Sequence, residues 1–295
     1  MGVFAGPVAV VSGAAGTLGR AYCRALALAG FAVLVNGRGR QRIAGGCGLD
    51  AVADEIERAG GVAAVCRSDV SAMAGAEQVV AAAMAAFGRV DAVVCNAGVL
   101  RDRPLAAMGA AEFDEVVRSH LYGTFHLTKA AWGALLASGA GRVVTTTSSA
   151  GLWGNPGQSH YAAAKLGVVG FTLSLALEGA PSGVRVNAVA PLATCRATGG
   201  LIPEAARELF SADQVAELVV RLAGAGCTST GRIWEVGGGV CREVGLGAGP
   251  YLPCGHHAEP VDRDQELTDR PLTARSAVAD LVRAAQFRDG EGGQA

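Results

Sequence analysis

The chain has 295 residues, 51% hydrophobic and 17% charged, with a net charge of −1 from 25 basic and 26 acidic side chains. That length builds a large core, and positive mean hydropathy (+0.33) excludes disorder over most of it. Near-neutral charge argues against a nucleic acid or an anionic membrane as partner, and no uncharged apolar run reaches the ~18 residues that cross a bilayer.

Residues 8–11 (VAVV) are a short apolar run of the kind that forms a buried parallel strand. The glycine-rich turn 12–19 follows, then a helix at 20–29 closed by Gly30, then a second strand at 31–35. These segments make one βαβ unit. The alternation continues through a helix at 49–59, a strand at 62–66, a helix at 74–87 and a strand at 91–95. A single long helix is expected over 111–137, then a strand at 142–147, a helix at 159–178 and a strand at 184–189. A helix at 213–223 and a seventh strand at 232–236 complete the pattern. The expected fold is α/β, a Rossmann-type, doubly wound, seven-stranded parallel sheet with helices on both faces. The dinucleotide-binding domain is placed at 1–240 and a C-terminal arm at 241–295, with an amphipathic helix over 272–287, packing on the domain or on a partner subunit.

The eight cysteines are scattered without a CxxC pair and read as reduced thiols. Met1–Pro7 lacks the basic segment and apolar run of a signal peptide, so a cytoplasmic location is expected. His256-His257 is not expected to bind metal, because adjacent side chains of an extended chain point apart.

Three constellations carry chemistry. Gly13, Gly16 and Gly19 sit in the turn after the first strand, where backbone N–H groups and a helix dipole face a diphosphate. After the second strand comes Asn36-Gly37-Arg38-Gly39-Arg40, with no carboxylate for a ribose 2′-hydroxyl and with guanidinium groups for a 2′-phosphate. NADP(H) is therefore the expected cofactor, with NAD(H) as the alternative. The third set is Ser148, Tyr161 and Lys165. Tyr161 and Lys165 share a helix face, four residues apart, and an ammonium there favours the phenolate. Ser148, at the end of the fifth strand, can hold the substrate oxygen while Tyr161 gives or takes its proton. Lysine occurs only at 129 and 165, against 23 arginines, so its use at 165 suits a role that arginine would not fill.

SGAAGTLG (12–19), CNAG (95–98), TSS (147–149), YAAAK (161–165) and VNAVAP (186–191) resemble the short-chain dehydrogenase/reductase family from residue 7 to about 240. NAGVLRDRPL (96–105), GNPGQSHYAAAKLG (154–167) and WEVGGG (234–239) are similar, more narrowly, to the (3R)-hydroxyacyl-CoA dehydrogenase domain of peroxisomal multifunctional enzyme type 2. The resemblance implies a catalytic set of Ser148, Tyr161, Lys165 and His120, the last replacing the family's usual asparagine. It implies a dinucleotide held by Gly13, Gly16, Thr17, Leu18, Gly19 and Arg38. Asp69 and Val70 would frame the adenine, Asn96, Ala97 and Gly98 its ribose, and Pro191 the nicotinamide. Trp153, His160 and Leu192 are the substrate-side candidates.

Four departures stand out. Thr17 occupies the family's middle-glycine position, Gly37 replaces the branch's NAD-selecting aspartate, and the substrate loop reads PLATCRAT (191–198). No hydratase or sterol-carrier domain is expected after residue 240, and the terminal GGQA does not read as a peroxisomal address. The expected activity is an NADPH-dependent ketoreductase acting on a β-keto thioester or a polyketide-type ketone. Oxidation of a (3R)-hydroxyacyl-CoA is the alternative, and a non-catalytic subunit of a hetero-oligomer is an alternative of another class. Apolar residues on the two long helices (Ala130, Ala131, Leu135, Val169, Phe171, Leu175) suggest a homodimer or homotetramer.

Overall fold

The computed structural model describes residues 4–39, 48–194, 202–245 and residue 282. Strands β1 (Val8–Ser12), β2 (Ala32–Asn36), β3 (Val62–Cys66), β4 (Ala92–Cys95), β5 (Arg142–Thr146), β6 (Arg185–Pro191) and β7 (Ile233–Gly237) pair in parallel. The sheet order is β3-β2-β1-β4-β5-β6-β7, with β8 (Val240–Val244) beyond β7 at the edge. Chain direction across the sheet reverses between β1 and β4, so the carboxyl ends of those strands open a crevice of the kind where α/β folds bind ligands.

Strand residues alternate between two core layers, as the two-residue period demands. Val11, Val33, Val35 and Val94 face helices α1 (Thr17–Leu28), α2 (Leu49–Arg58) and α8 (Ala212–Ala223). Val8, Val10, Leu34 and Val93 face α3 (Met73–Phe87), α5 (Gly123–Ala137) and α7 (Ser159–Gly179). α7 and the turn after it are long and apolar enough to cross a bilayer by composition, but 44% of that window is buried inside the protein.

The structure departs from the sequence expectation in two places. An eighth strand, β8 (Val240–Val244), pairs antiparallel with β7 through the two-residue turn Gly238-Gly239. Both glycines have positive φ (60° and 71°), the backbone that a tight hairpin requires. The sheet therefore continues past the boundary placed at 240. The single long helix is in fact α4 (Ala110–Val117), a π-helical turn at Arg118–Tyr122, and α5. One extra residue per turn there re-aims the side chains around His120.

The arm expected from 241 lies mostly outside the described residues, as do the helix over 272–287, Arg40, His256-His257 and the centre of the substrate loop. Of the arm beyond β8, Val282 is described, buried against Leu192, Ile202 and Phe210.

Candidate active site

At the carboxyl end of β1, the turns after β1 and β4 are fastened together. Ser12 Oγ accepts from the backbone N–H groups of Asn96 (3.0 Å) and Ala97 (3.2 Å), while Asn96 Nδ2 donates to the carbonyls of Ser12 and Gly13. Gly13 has φ +66°, and a Cβ there would lie 2.8 Å from Ala97 Cα. A Cβ at Gly19 would lie 2.2 Å from the Gly13 carbonyl oxygen, so α1 can approach the turn only with glycine there. Gly16 is the N-cap of α1, extended, with no side-chain cap and no acidic residue in the first turn. The cradle fits a dinucleotide diphosphate: between Ser12 and Thr17 the turn carries nothing larger than a methyl group, and the first turn of α1 holds no carboxylate. Thr17 is exposed at the first position of α1, and Leu18 packs inward against the first core layer.

At the end of β2, Asn36 is buried and its amide donates to the carbonyls of Cys66 and Ser68. A Cβ at Gly37 would meet the Leu49 side chain. The Arg38 guanidinium is exposed, 3.9 Å from Asp69 Oδ2. Asp69 accepts from Ser71 N–H through its other oxygen. Val70 differs from its expected role, because its side chain is buried in the second core layer and its carbonyl accepts from His126 Nδ1. Only its backbone is left to frame an adenine.

The catalytic candidates are gathered at the ends of β4 and β5. Lys165 is 4% exposed; its Nζ donates to the Thr146 carbonyl (2.6 Å) and lies 5.7 Å from the centre of the Tyr161 ring. Burial, with no carboxylate partner among the described residues, lowers the Lys165 ammonium pKa to about 7. Ser148, two residues past that carbonyl, caps α6 (Ser149–Trp153) by accepting from Ala150 N–H at 3.2 Å. Between them Thr147 Oγ1 donates to the Lys165 carbonyl, tying the Ser148 turn to α7. His120, from the π-helical turn, meets the Tyr161 ring edge-on at 5.0 Å. Its Nε2 lies 2.7 Å from the Val99 carbonyl and 3.1 Å from the Val99 backbone nitrogen, so either tautomer finds a backbone partner there, while buried Nδ1 has no hydrogen-bond partner among the described residues. Burial, then the neighbouring Lys165 charge, hold His120 well below the ordinary imidazole range and therefore neutral.

Other candidates sit elsewhere. His160 is fully buried, so it offers no surface to a substrate: Nε2 donates to the Arg101 carbonyl (3.0 Å) and Nδ1 accepts from Tyr161 N–H (2.9 Å). Trp153 donates from Nε1 to Glu235 (3.0 Å) and packs beside Val169, Ile233 and Val244, away from the role of a free substrate wall. Leu192 is buried against Ile202, Ala206 and Phe210, with its N–H donated to the Val236 carbonyl. Gly98 packs under the His120 ring, and Pro191 ends β6 opposite Val236.

Sequence reasoning missed Glu235 and Arg242. Glu235 is completely buried; one carboxylate oxygen accepts from Ser149 and Trp153, and the other from Arg242 on β8. This brace holds α6 just behind Ser148. Its signal was a carboxylate inside the apolar WEV segment.

The short chain dehydrogenase family model matches residues 7–200. The chain belongs to the short-chain dehydrogenase family. It is 41% identical over 242 residues to a short-chain type dehydrogenase/reductase of Mycobacterium tuberculosis, covering 81% of this chain and 85% of that one. It is also 41% identical over 239 residues to peroxisomal multifunctional enzyme type 2 of Mus musculus, covering 80% of this chain and 32% of the relative. A 3-oxoacyl-[acyl-carrier-protein] reductase of Synechocystis is 41% identical over 184 residues, 62% of this chain and 72% of that one. Among solved structures, a short chain dehydrogenase from Mycobacterium avium superposes with a TM-score of 0.75 at 37% identity, covering 91% and 95% of the two chains. This short-chain dehydrogenase is thus an NAD(P)-dependent oxidoreductase of CH–OH and C=O groups. It spans about a third of the multifunctional relative's length.

Proposed function

We propose that this short-chain dehydrogenase is an NADPH-dependent ketoreductase whose substrate is a β-keto thioester or a polyketide-type ketone. The observation that carries the chemistry is the grouping of Tyr161, buried Lys165 and neutral His120 around one phenol. Bound NADPH would supply hydride to the carbonyl carbon. The Ser148 hydroxyl holds the carbonyl oxygen and stabilises the developing negative charge. Tyr161 delivers its proton to that oxygen. Lys165, buried and without a carboxylate partner among the described residues, is the nearby cation that favours the phenolate left when Tyr161 gives up its proton. His120, held neutral by its burial, adds no second positive charge beside Lys165.

Preference for the phosphorylated coenzyme rests on Arg38, an exposed guanidinium at the end of β2 where a carboxylate is lacking. The test compares coenzymes: the KM for NADPH is expected well below that for NADH, and R38A is expected to raise the NADPH value at least tenfold while leaving NADH unchanged. A clear preference of the parent protein for NADH defeats this assignment. Screening β-keto thioesters and cyclic ketones with NADPH tests the substrate class. A second reading, oxidation of a 3-hydroxyacyl thioester, draws on the likeness to the multifunctional peroxisomal enzyme, and faster turnover in the oxidative direction with NAD would favour it.

We further propose a homodimer or homotetramer. Of the residues expected to form its contacts, Ala131, Leu135, Val169 and Leu175 are instead buried within the subunit. The exposed large apolar side chains over 111–137 and 159–178 are Phe113, Tyr122, Phe125, Leu136, Leu166 and Leu177. A monomer in sedimentation velocity counts against assembly.

A further inference from the structure

His160 precedes the catalytic tyrosine and touches nothing that reacts, yet both of its ring nitrogens are committed. Nε2 lies 3.0 Å from the Arg101 carbonyl, which can only accept, so Nε2 carries the proton. Nδ1 is then a lone-pair nitrogen and accepts the backbone N–H of Tyr161 at 2.9 Å. That N–H lies in the first turn of α7, where amides lack helical partners. The N-cap residue, Gln158, supplies no side-chain cap. Its amide is used elsewhere, donating to Asp102 (2.8 Å) and accepting from Asn155 (3.0 Å). One residue earlier, the Gly157 carbonyl accepts from Arg103 N–H (2.8 Å).

Three successive residues after β4, Arg101, Asp102 and Arg103, are therefore fastened to the start of α7. The same segment binds His120 two residues earlier, through the Val99 backbone. The Phe113 ring of α4 lies beside the His160 ring at 6.5 Å. Two imidazoles hydrogen-bonded to the backbone of one short segment thus bracket Tyr161, one against its ring and one on its backbone.

We infer that His160 is a positioning residue for Tyr161: its imidazole caps the Tyr161 N–H and ties that turn of α7 to the segment that seats His120. The inference rests on Tyr161 being the proton donor of the proposed reaction. Asparagine places an oxygen close to the position of Nδ1 and keeps the cap. Glutamine reaches the position of Nε2 and keeps only the contact with Arg101. Phenylalanine keeps the shape and loses both.

The experiment compares the full-length parent, H160F, H160N, H160Q and Y161F, using NADPH with acetoacetyl-CoA as the probe, and follows exchange of the Tyr161 amide by NMR without substrate. H160F is expected to lower kcat at least tenfold with the KM for NADPH within twofold, and to speed Tyr161 amide exchange at least tenfold. H160N is expected to recover most of both losses, and H160Q to recover neither. Should H160F not fold, the asparagine–glutamine contrast decides alone. Unchanged kcat and unchanged Tyr161 exchange in H160F overturn the inference, as does equal behaviour of H160N and H160Q. A dead Y161F beside an unaffected H160F removes only the role of His160. A fully active Y161F removes the proposed function along with it.

Discussion

The His120 ring fills the space that a side chain at Gly98 would occupy: a Cβ built on Gly98 lies 2.0 Å from His120 Cε1 and 2.6 Å from Nδ1. The two residues are matched, a bare backbone on one turn and an imidazole on a π-helical turn of another element. Among the described residues, nothing else comes so close to that position.

This pairing makes G98A a steric test of how His120 is seated. The variant is expected to lose ~1–3 kcal/mol of stability by overpacking, and most of its activity as the ring is displaced from Tyr161. The double variant G98A/H120N, with a smaller side chain, is expected to regain stability relative to G98A. Urea unfolding of the three proteins measures this, and an additive double variant would show that the two positions do not meet.

Lys165 predicts a pH dependence of stability. Its folded pKa is about 7, against ~10.4 for an unfolded lysine. Below pH 7 both states carry the proton, and the full cost of burying the ammonium is present. As pH rises from there toward ~10.4, the folded state is neutral while the unfolded state stays protonated, so the unfolded state binds more protons and stability increases. The gain is at most ~1.4 kcal/mol per pH unit. The apo-protein should therefore gain stability relative to K165M between pH 7 and pH 10. Parallel urea midpoints for the two proteins across that range would contradict the burial argument. His120 adds a slope of the same sign at lower pH, below the ordinary imidazole range, because its folded form resists protonation.

R242A leaves Glu235, completely buried, without its cation. Breaking a buried pair by removing one partner costs ~3–5 kcal/mol. Arg242 itself is partly exposed, so ~2–3 kcal/mol is expected. Because Glu235 also holds Ser149 and Trp153, turnover should fall with stability. E235Q/R242M, neutral on both sides, should recover more stability than R242A alone in thermal unfolding. Equal destabilisation of the two would show that charge compensation is not what the brace supplies.

Some of the misreadings had a signal and some did not. The sequence reads β8 as the start of an arm: Gly238-Gly239 carries a two-residue hairpin signature, but the Cys-Arg-Glu centre of 240–244 is not an apolar run and the glycine-rich stretch around it hides the turn. The π-helical turn had none, since residues 111–137 keep a helical pattern throughout and one widened turn leaves the composition unchanged. His160 and Leu192 lie next in sequence to functional positions but point into the interior, and adjacency along a chain says little about which side of a turn faces a cleft.

What the amino-acid order determined by itself was the alternation of strands and helices, the glycine turn after β1 and the four-residue spacing of Tyr161 and Lys165. These depend on local periodicity and on backbone sterics, which a residue carries wherever it is placed. Tertiary structure alone decided that Lys165 is dry, that His120 is seated on the Val99 backbone, that His160 donates from Nε2, and that Glu235 meets Arg242 behind Ser148. Those properties arise between groups far apart in the chain, where burial and hydrogen-bond partners, not residue type, govern charge and orientation.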